Sequence, residues 1–192
     1  MRPSRLTQAE STDSNVRKRR IEMDAELFSV LSKVALDEAR LQHARMVLRE
    51  IPSGALQRLA AALDCDWATY WKVDPVAMTL RAAVVWSKPG LQTASLQSNT
   101  VARRLSLSEG TAGHVWRSRH SIWTTDLVRD MCLPRSLDAR AAGMQGGIWI
   151  PVQTDAEVFG VVEMLGTKIP PPSLSLLAAA DRLGLELATL LV

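Results

Sequence analysis

A chain of 192 residues, 47% hydrophobic and 22% charged, can bury one proper core and carry an additional helical arm. Its apolar stretches stop short of the ~18 residues a membrane-spanning helix needs, and a start with Glu10 and Asp13 but no apolar core is neither secretory signal nor transit peptide, so a cytoplasmic location away from membranes is expected. Two cysteines without CxxC spacing, Cys65 and Cys132, exclude a disulfide framework, and a net charge of +3 is too modest to make nucleic acid an expected partner.

Residues 1–16 hold too little apolar material to offset the entropy of ordering, which predicts a disordered segment. From 17 to 51 the chain has neither glycine nor proline, and Leu27, Leu31, Val34, Leu41 and Leu48 recur at spacings of three, four and seven. That pattern predicts a long amphipathic helix for signalling or dimerisation, opened by the solvated run Arg17, Lys18, Arg19, Arg20. Glu38 and Arg45 fall on the same seam, either as a partly polar interface between two chains or because the helix rotates off the seam there. Pro52 ends the helix, and Ser53 is placed to cap the next, whose buried stripe is Leu56, Leu59, Ala60 and Leu63.

After Asp64 the period becomes extended. Residues 67–73 and 78–86, joined at Asp74-Pro75, read as an antiparallel hairpin. By strict alternation Leu80, Ala82, Val84 and Trp86 share one face of the second strand, with Arg81 on the other. Residues 87–100 read as a polar loop with room for a short helical turn, and 101–107 as a further strand. A glycine turn at Gly110 leads into a helix over 112–119, then a strand over 121–125, an irregular stretch over 126–133, and a helix started at Pro134 and ended at Gly143. Residues 147–154 and 157–165 form a second hairpin. After the stiff spacer Pro170, Pro171, Pro172, Ser173 opens a last helix carrying Leu176, Leu177, Ala180, Leu183, Leu187 and Leu190.

Two hairpins imply an antiparallel sheet, so the fold class is α+β, with residues 53–192 as its domain. The segments WATYWKVD and LRAAVVW, then SLSEGTAGHVWRSRHSIWTTDL, and finally PRSLDARAAGMQGGIWIPV with EVFGVVEML closely resemble the GAF domain family of bacterial sensor proteins. That resemblance implies a central antiparallel sheet of about six strands with helices on both faces, a small-molecule pocket on one of them, and a homodimer through the N- and C-terminal helices. No output domain follows Val192, so the chain is expected either to act through a signalling partner in trans or to be a fragment of a larger sensor.

GAF-type free methionine sulfoxide reductases need several cysteines around the pocket to form and resolve a sulfenic acid, whereas Gly110-Thr111-Ala112-Gly113 has no thiol and the two cysteines lie far apart. Bilin-binding members attach their chromophore through a cysteine where this chain has Pro134 and Arg135. Cyclic-nucleotide-binding members often carry Asn-Lys after the final strand, where this chain has Gly166-Thr167. His43, His114 and His120 offer no paired metal spacing, though a haem needs only one histidine. No P-loop, nucleophile elbow or kinase signature is present. A non-catalytic sensory or regulatory domain with an unknown ligand and cofactor is therefore expected, with a ligand-free dimerisation or interaction scaffold as the alternative, and a thiol-dependent, methionine sulfoxide reductase-like enzyme behind both.

Tryptophan accounts for 6 of the 9 aromatic residues (6 Trp, 1 Tyr, 2 Phe), and each offers a flat surface with one N–H, suited either to a planar ligand or to filling a core poor in phenylalanine. The candidate pocket residues are Trp71, Trp86, Trp116, Trp123, Thr125, Asp126, Arg135, Trp149 and Glu163. Asp126 also suits a capping role in its own loop. Glu163, a carboxylate in an apolar strand, must pair, face water or bind something, and an exposed edge position accounts for it most simply.

Overall fold

A computed structural model of the chain describes residues 51–127, 129 and 135–191. The disordered segment expected over 1–16 lies outside them, as does the long helix except for Ile51. The elements run α1 (Ser53–Ala62), β1 (Trp67–Asp74), β2 (Thr79–Ser87), α2 (Ala94–Ala102), β3 (Arg104–Ser106), α3 (Gly110–Ser118), β4 (Ile122–Thr124), α4 (Ser136–Ala141), β5 (Gly146–Gln153), β6 (Val158–Gly166) and α5 (Leu174–Ala188). One six-stranded sheet in the order β3-β2-β1-β6-β5-β4 is antiparallel at every pairing. The expected α+β class and strand number are both observed.

Alternation along the strands sends side chains to two separate cores. Ala68 and Tyr70 of β1, Ile148, Ile150 and Val152 of β5, and Val162 and Met164 of β6 meet the apolar stripes of α1 and α5 on one face. Trp67 and Trp71 of β1, Trp149 of β5, and Val161 and Leu165 of β6 face α2, α3 and α4 on the other. The first is the end-helix face and the second the middle face. Two glycines allow close approach. A Cβ on Gly184 of α5 would strike the Pro151 carbonyl of β5, and one on Gly160 of β6 would strike the Trp71 carbonyl.

Several local expectations are corrected. Pro52, not Ser53, is the N-cap of α1, and no side chain caps it. Residues 87–100 hold most of a nine-residue helix, α2, and the strand expected over 101–107 shrinks to the three residues of β3. Strict alternation fails along β2. Tyr70 pairs with Val84 but Trp71 with Ala82, so Ala83 bulges. Leu80 and Ala82 consequently join the middle-face core while Val84 and Trp86 join the other. Ser173, expected to open the last helix, does so as its N-cap, its Oγ accepting from the Leu176 amide at 3.1 Å. Pro134, the expected helix start, is outside the described residues; α4 begins at Ser136 and Gly143 follows it at φ +84°. Among the described residues no helix is long and apolar enough to cross a membrane.

Candidate functional site

The centre of the middle face is charged. Glu163 on β6 lies opposite Thr69 of β1 on one side and Trp149 of β5 on the other. Arg135, just before α4, reaches it: Nη2 donates to both carboxylate oxygens at 2.8 Å, and Nη1 donates to Thr100 Oγ1 of α2 at 2.5 Å. Trp149 Nε1 donates to Glu163 Oε2 at 2.9 Å. The guanidinium carbon sits 5.0 Å from the Trp71 ring centroid, within the range of a cation–π contact. Arg135 is 1% exposed and Glu163 0%. Burying such a pair costs desolvation on both partners, which their mutual attraction offsets only when the geometry is good and the remaining hydrogen bonds are made.

Those remaining bonds are incomplete. Trp67 Nε1, Thr69 Oγ1, Trp71 Nε1, Thr111 Oγ1 and Arg135 Nε are buried and have no hydrogen-bond partner among the described residues. Trp67, Thr69 and Trp71 are successive inward positions of β1, and Thr111 stands on α3 one turn before Val115, a member of the same core. Directly opposed residues such as Thr69 and Glu163 lie about 5 Å apart at Cβ, so Thr69 stands beside the ion pair, while the Trp71 ring lies under the guanidinium. Each such atom costs about 1–3 kcal/mol if nothing satisfies it, and native proteins keep few of them. Five of the nine such atoms among the described residues belong to this group, which makes the face the candidate site.

α2 and α4 roof part of this face and are tied together. Ser95 Oγ and Asn99 Nδ2 donate to the Asp138 carboxylate at 2.6 and 2.7 Å. These two bonds outweigh the opposing effect of burial and, with smaller contributions from Arg135 and Arg103, hold Asp138 below the usual carboxylate range.

The predicted residues divide. Trp71, Arg135, Trp149 and Glu163 meet at the ion pair, and Trp116 joins the same core from α3. The expectation that Glu163 is an exposed edge residue is wrong, because β6 is central in the sheet and Arg135 covers its carboxylate. Trp86 and Trp123 pack half-buried against the end-helix core instead. Trp123 donates from Nε1 to the Pro170 carbonyl at 2.9 Å and, with Thr125, lines an open cleft of about 650 Å³ beside Gln145, Lys168 and Ile169. Asp126 is exposed and takes the capping role, accepting from the Arg129 amide at 3.0 Å. Sequence reasoning missed Trp67 as a site residue, together with Thr69, Thr100 and Thr111. Period-two alternation between two tryptophans was a signal for Thr69, while Thr100 fell in a segment read as loop.

Cys65 sits between α1 and β1 in the end-helix core, across the sheet from the ion pair. Burial, then the charges of Asp66 and Asp64, push its thiol up to about 12, where almost none is the nucleophilic thiolate at neutral pH. Cys132 is outside the described residues. His114 Nδ1 lies 2.8 Å from the Gly110 carbonyl of its own helix and His120 is exposed beside Asp181. Among the described residues no three His, Cys, Asp or Glu side chains are grouped to hold a metal.

Solved structures share this architecture at low identity. A free methionine-R-sulfoxide reductase from Neisseria meningitidis, in complex with its substrate, is 16% identical over 90% of each chain with a TM-score of 0.60. The corresponding Staphylococcus aureus enzyme, with substrate, is 14% identical over 86% of this chain and 95% of its own, with a TM-score of 0.57. The GAF domain of a phosphoenolpyruvate-protein phosphotransferase from Coxiella burnetii is 18% identical over 84% of this chain and 92% of its own, with a TM-score of 0.62. At these identities the likeness is one of fold, and one fold hosts many functions. No curated protein matches the chain. The sequence profile of the GAF domain matches residues 47–191, spanning both hairpins, both cores and the buried ion pair, and the chain therefore belongs to the GAF domain family.

Proposed function

We propose that this chain is a non-catalytic sensory or regulatory GAF protein that binds a small molecule on the middle face of its sheet. The observation that carries the reading is the buried Arg135–Glu163 pair together with the unpartnered polar atoms of Trp67, Thr69, Trp71, Thr111 and Arg135 itself. A fold has little need of such a pair, since apolar replacements of buried pairs are often neutral or stabilising. A recognition site does need it, because charge and directional donors confer specificity. The state of Cys65, protonated and on the wrong side of the sheet, supports the non-catalytic reading over a thiol reductase like the structural neighbours.

Residues 17–51 form the signalling and dimerisation arm of this proposal, and 53–192 the sensing domain, in the cytoplasm. Ile51 and Leu191 are both buried in the core shared by α1 and α5, which favours coupling through that face, to a second copy or to a partner protein. A ligand acts by favouring one packing of those helices over another.

One observation favours the scaffold reading: Trp67, Trp71 and Trp149 are fully buried in a single core, as a filled face would have them. Native mass spectrometry and an absorption spectrum of the purified protein, followed by thermal unfolding against a metabolite library, separate the two. A dimer with added mass, a visible band or a ligand-dependent rise in melting temperature supports the sensor, because binding to the folded state stabilises it. A colourless dimer that no compound stabilises sinks it in favour of the scaffold.

A further inference from the structure

We infer that the ligand of the middle face presents oxygen acceptors, as a carboxylate or an amide, and carries no required cationic group; this rests on reading that face as a ligand site. Three of its five unpartnered atoms, Trp67 Nε1, Trp71 Nε1 and Arg135 Nε, belong to groups that donate and cannot accept. The other two, Thr69 Oγ1 and Thr111 Oγ1, do either. All five belong to residues no more than 1% exposed.

The acceptors are already committed. Glu163 Oε1 takes Arg135, and Oε2 takes both Arg135 and Trp149. A ligand cation would find no free carboxylate, and Arg135 already sits over the Trp71 ring that could otherwise hold it. Arg135 and Glu163 cancel in charge, so an anion beside both gains little net Coulomb attraction. Its advantage comes from charge-assisted bonds to the free N–H groups, which are stronger than neutral ones. Carboxylates are therefore bound more tightly than the matching amides, and both more tightly than amines. On the β2 side of Thr69 its cross-strand neighbour Val85 is only half-buried.

The test is thermal unfolding and tryptophan fluorescence titration of the full chain with two matched sets: propionate, propionamide and propylamine, then benzoate, benzamide and benzylamine. The expected order in both sets is acid, amide, then no response to amine. Thr69→Val adds a signature that a merely structural hydroxyl would not give. Removing an unpartnered buried hydroxyl raises the melting temperature of the free protein, while carboxylate affinity falls about fivefold, roughly the worth of one hydrogen bond. Thr111→Val repeats the test from α3.

Amines that bind as well as acids, or acid binding that survives both variants undiminished, overturn the ligand class while leaving a binding site in place. A lower melting temperature for free Thr69→Val means that its hydroxyl already holds solvent, and also overturns it. Silence of all six compounds toward the wild-type chain removes the acceptor-binding proposal; silence toward the metabolite library as well removes the sensor reading beneath it.

Discussion

The two faces of the sheet solve the same packing problem with different materials. On the end-helix face, α1 and α5 bury leucine, isoleucine, valine and alanine against the strands. Two polar groups there are settled locally: the Tyr70 hydroxyl donates to the Phe159 carbonyl at 3.3 Å, and the Cys65 thiol contacts the Leu63 carbonyl at 3.7 Å. On the middle face, shorter helices cover three fully buried tryptophans, a buried ion pair and five unpartnered polar atoms. Both faces share the same strands, so the difference lies in alternate residues of one sequence. One face is built as a core, and the other carries polarity that a core does not require.

The sharpest way to break this contrast is to separate the ion pair. Glu163→Ala leaves the Arg135 guanidinium buried without its partner, and about 3–5 kcal/mol of stability is expected to go, read as the shift in urea midpoint. The double variant Arg135→Met, Glu163→Leu removes both charges. Its expected stability is at least that of the parent, by up to about 4 kcal/mol, with loss of any ligand response. A double variant as unstable as the single one would place the pair in the structural core and erase the distinction between the faces.

The matching change on the end-helix face is Leu183→Ala in α5. Leu183 is fully buried, and a large-to-small change there costs about 3 kcal/mol through lost transfer energy and the cavity left behind. Ligand-dependent stabilisation is expected to persist in this variant. Loss of both together would mean that the two cores fold and bind as one unit.

The apolar face was the more legible in sequence for a physical reason. The stripe Leu56, Leu59, Ala60 and Leu63 is buried as its helical spacing predicts, and of the last helix's set Leu176, Ala180, Leu183 and Leu187 are buried while Leu177 and Leu190 are half-buried. Burial on such a face is local and periodic. The hairpins, the glycine turns and the start of the last helix at Ser173 were equally readable. What failed depended on partners distant in sequence. The bulge at Ala83 is set by the pairing of β2 with β1 and re-aims Val84 and Trp86. Glu163 reads as an edge carboxylate until Arg135, 28 residues earlier in the chain, is brought over it. α2 was hidden because its polar surface carries little periodic signal: Ser95 and Asn99 serve Asp138, not solvent alone.

Acid is expected to distinguish the faces more gently than mutation. Asp138 has a folded pKa below its ordinary value, so its bonds to α2 contribute stability above the unfolded pKa of about 3.9, and that contribution is lost as pH falls through the folded value. Asp66 behaves in the same direction. Its burial opposes ionisation, but the Thr167 amide, Lys88 and the Thr167 hydroxyl outweigh it and keep the carboxyl below the usual range. Asp66 sits where β1, β2 and β6 converge, so its loss affects the sheet common to both faces. Hydrogen exchange below about pH 4 is expected to rise in α2 and α4 before α1 and α5. Asp138→Asn is expected to remove that early step and leave the Asp66 limb. Simultaneous opening of all four helices would deny the middle face its separate roof.

The smallest expected effect concerns Cys65, and it tests whether the sheet isolates the two faces chemically. A buried thiol raised to about 12 is almost entirely protonated at pH 8, and the reactive species is the thiolate. In a Cys132→Ser background, iodoacetamide is expected to leave Cys65 unlabelled in the native protein and to label it in urea, with saturating middle-face ligand making no difference. Cys65→Ala is expected to lower stability by about 1 kcal/mol, as a small buried side chain is shortened, and to leave ligand affinity intact. Labelling that ligand blocks would join Cys65 to the site through the sheet. The separation of an apolar core from a recognition face would then fail, and a thiol-based activity would become the better account of the buried charge.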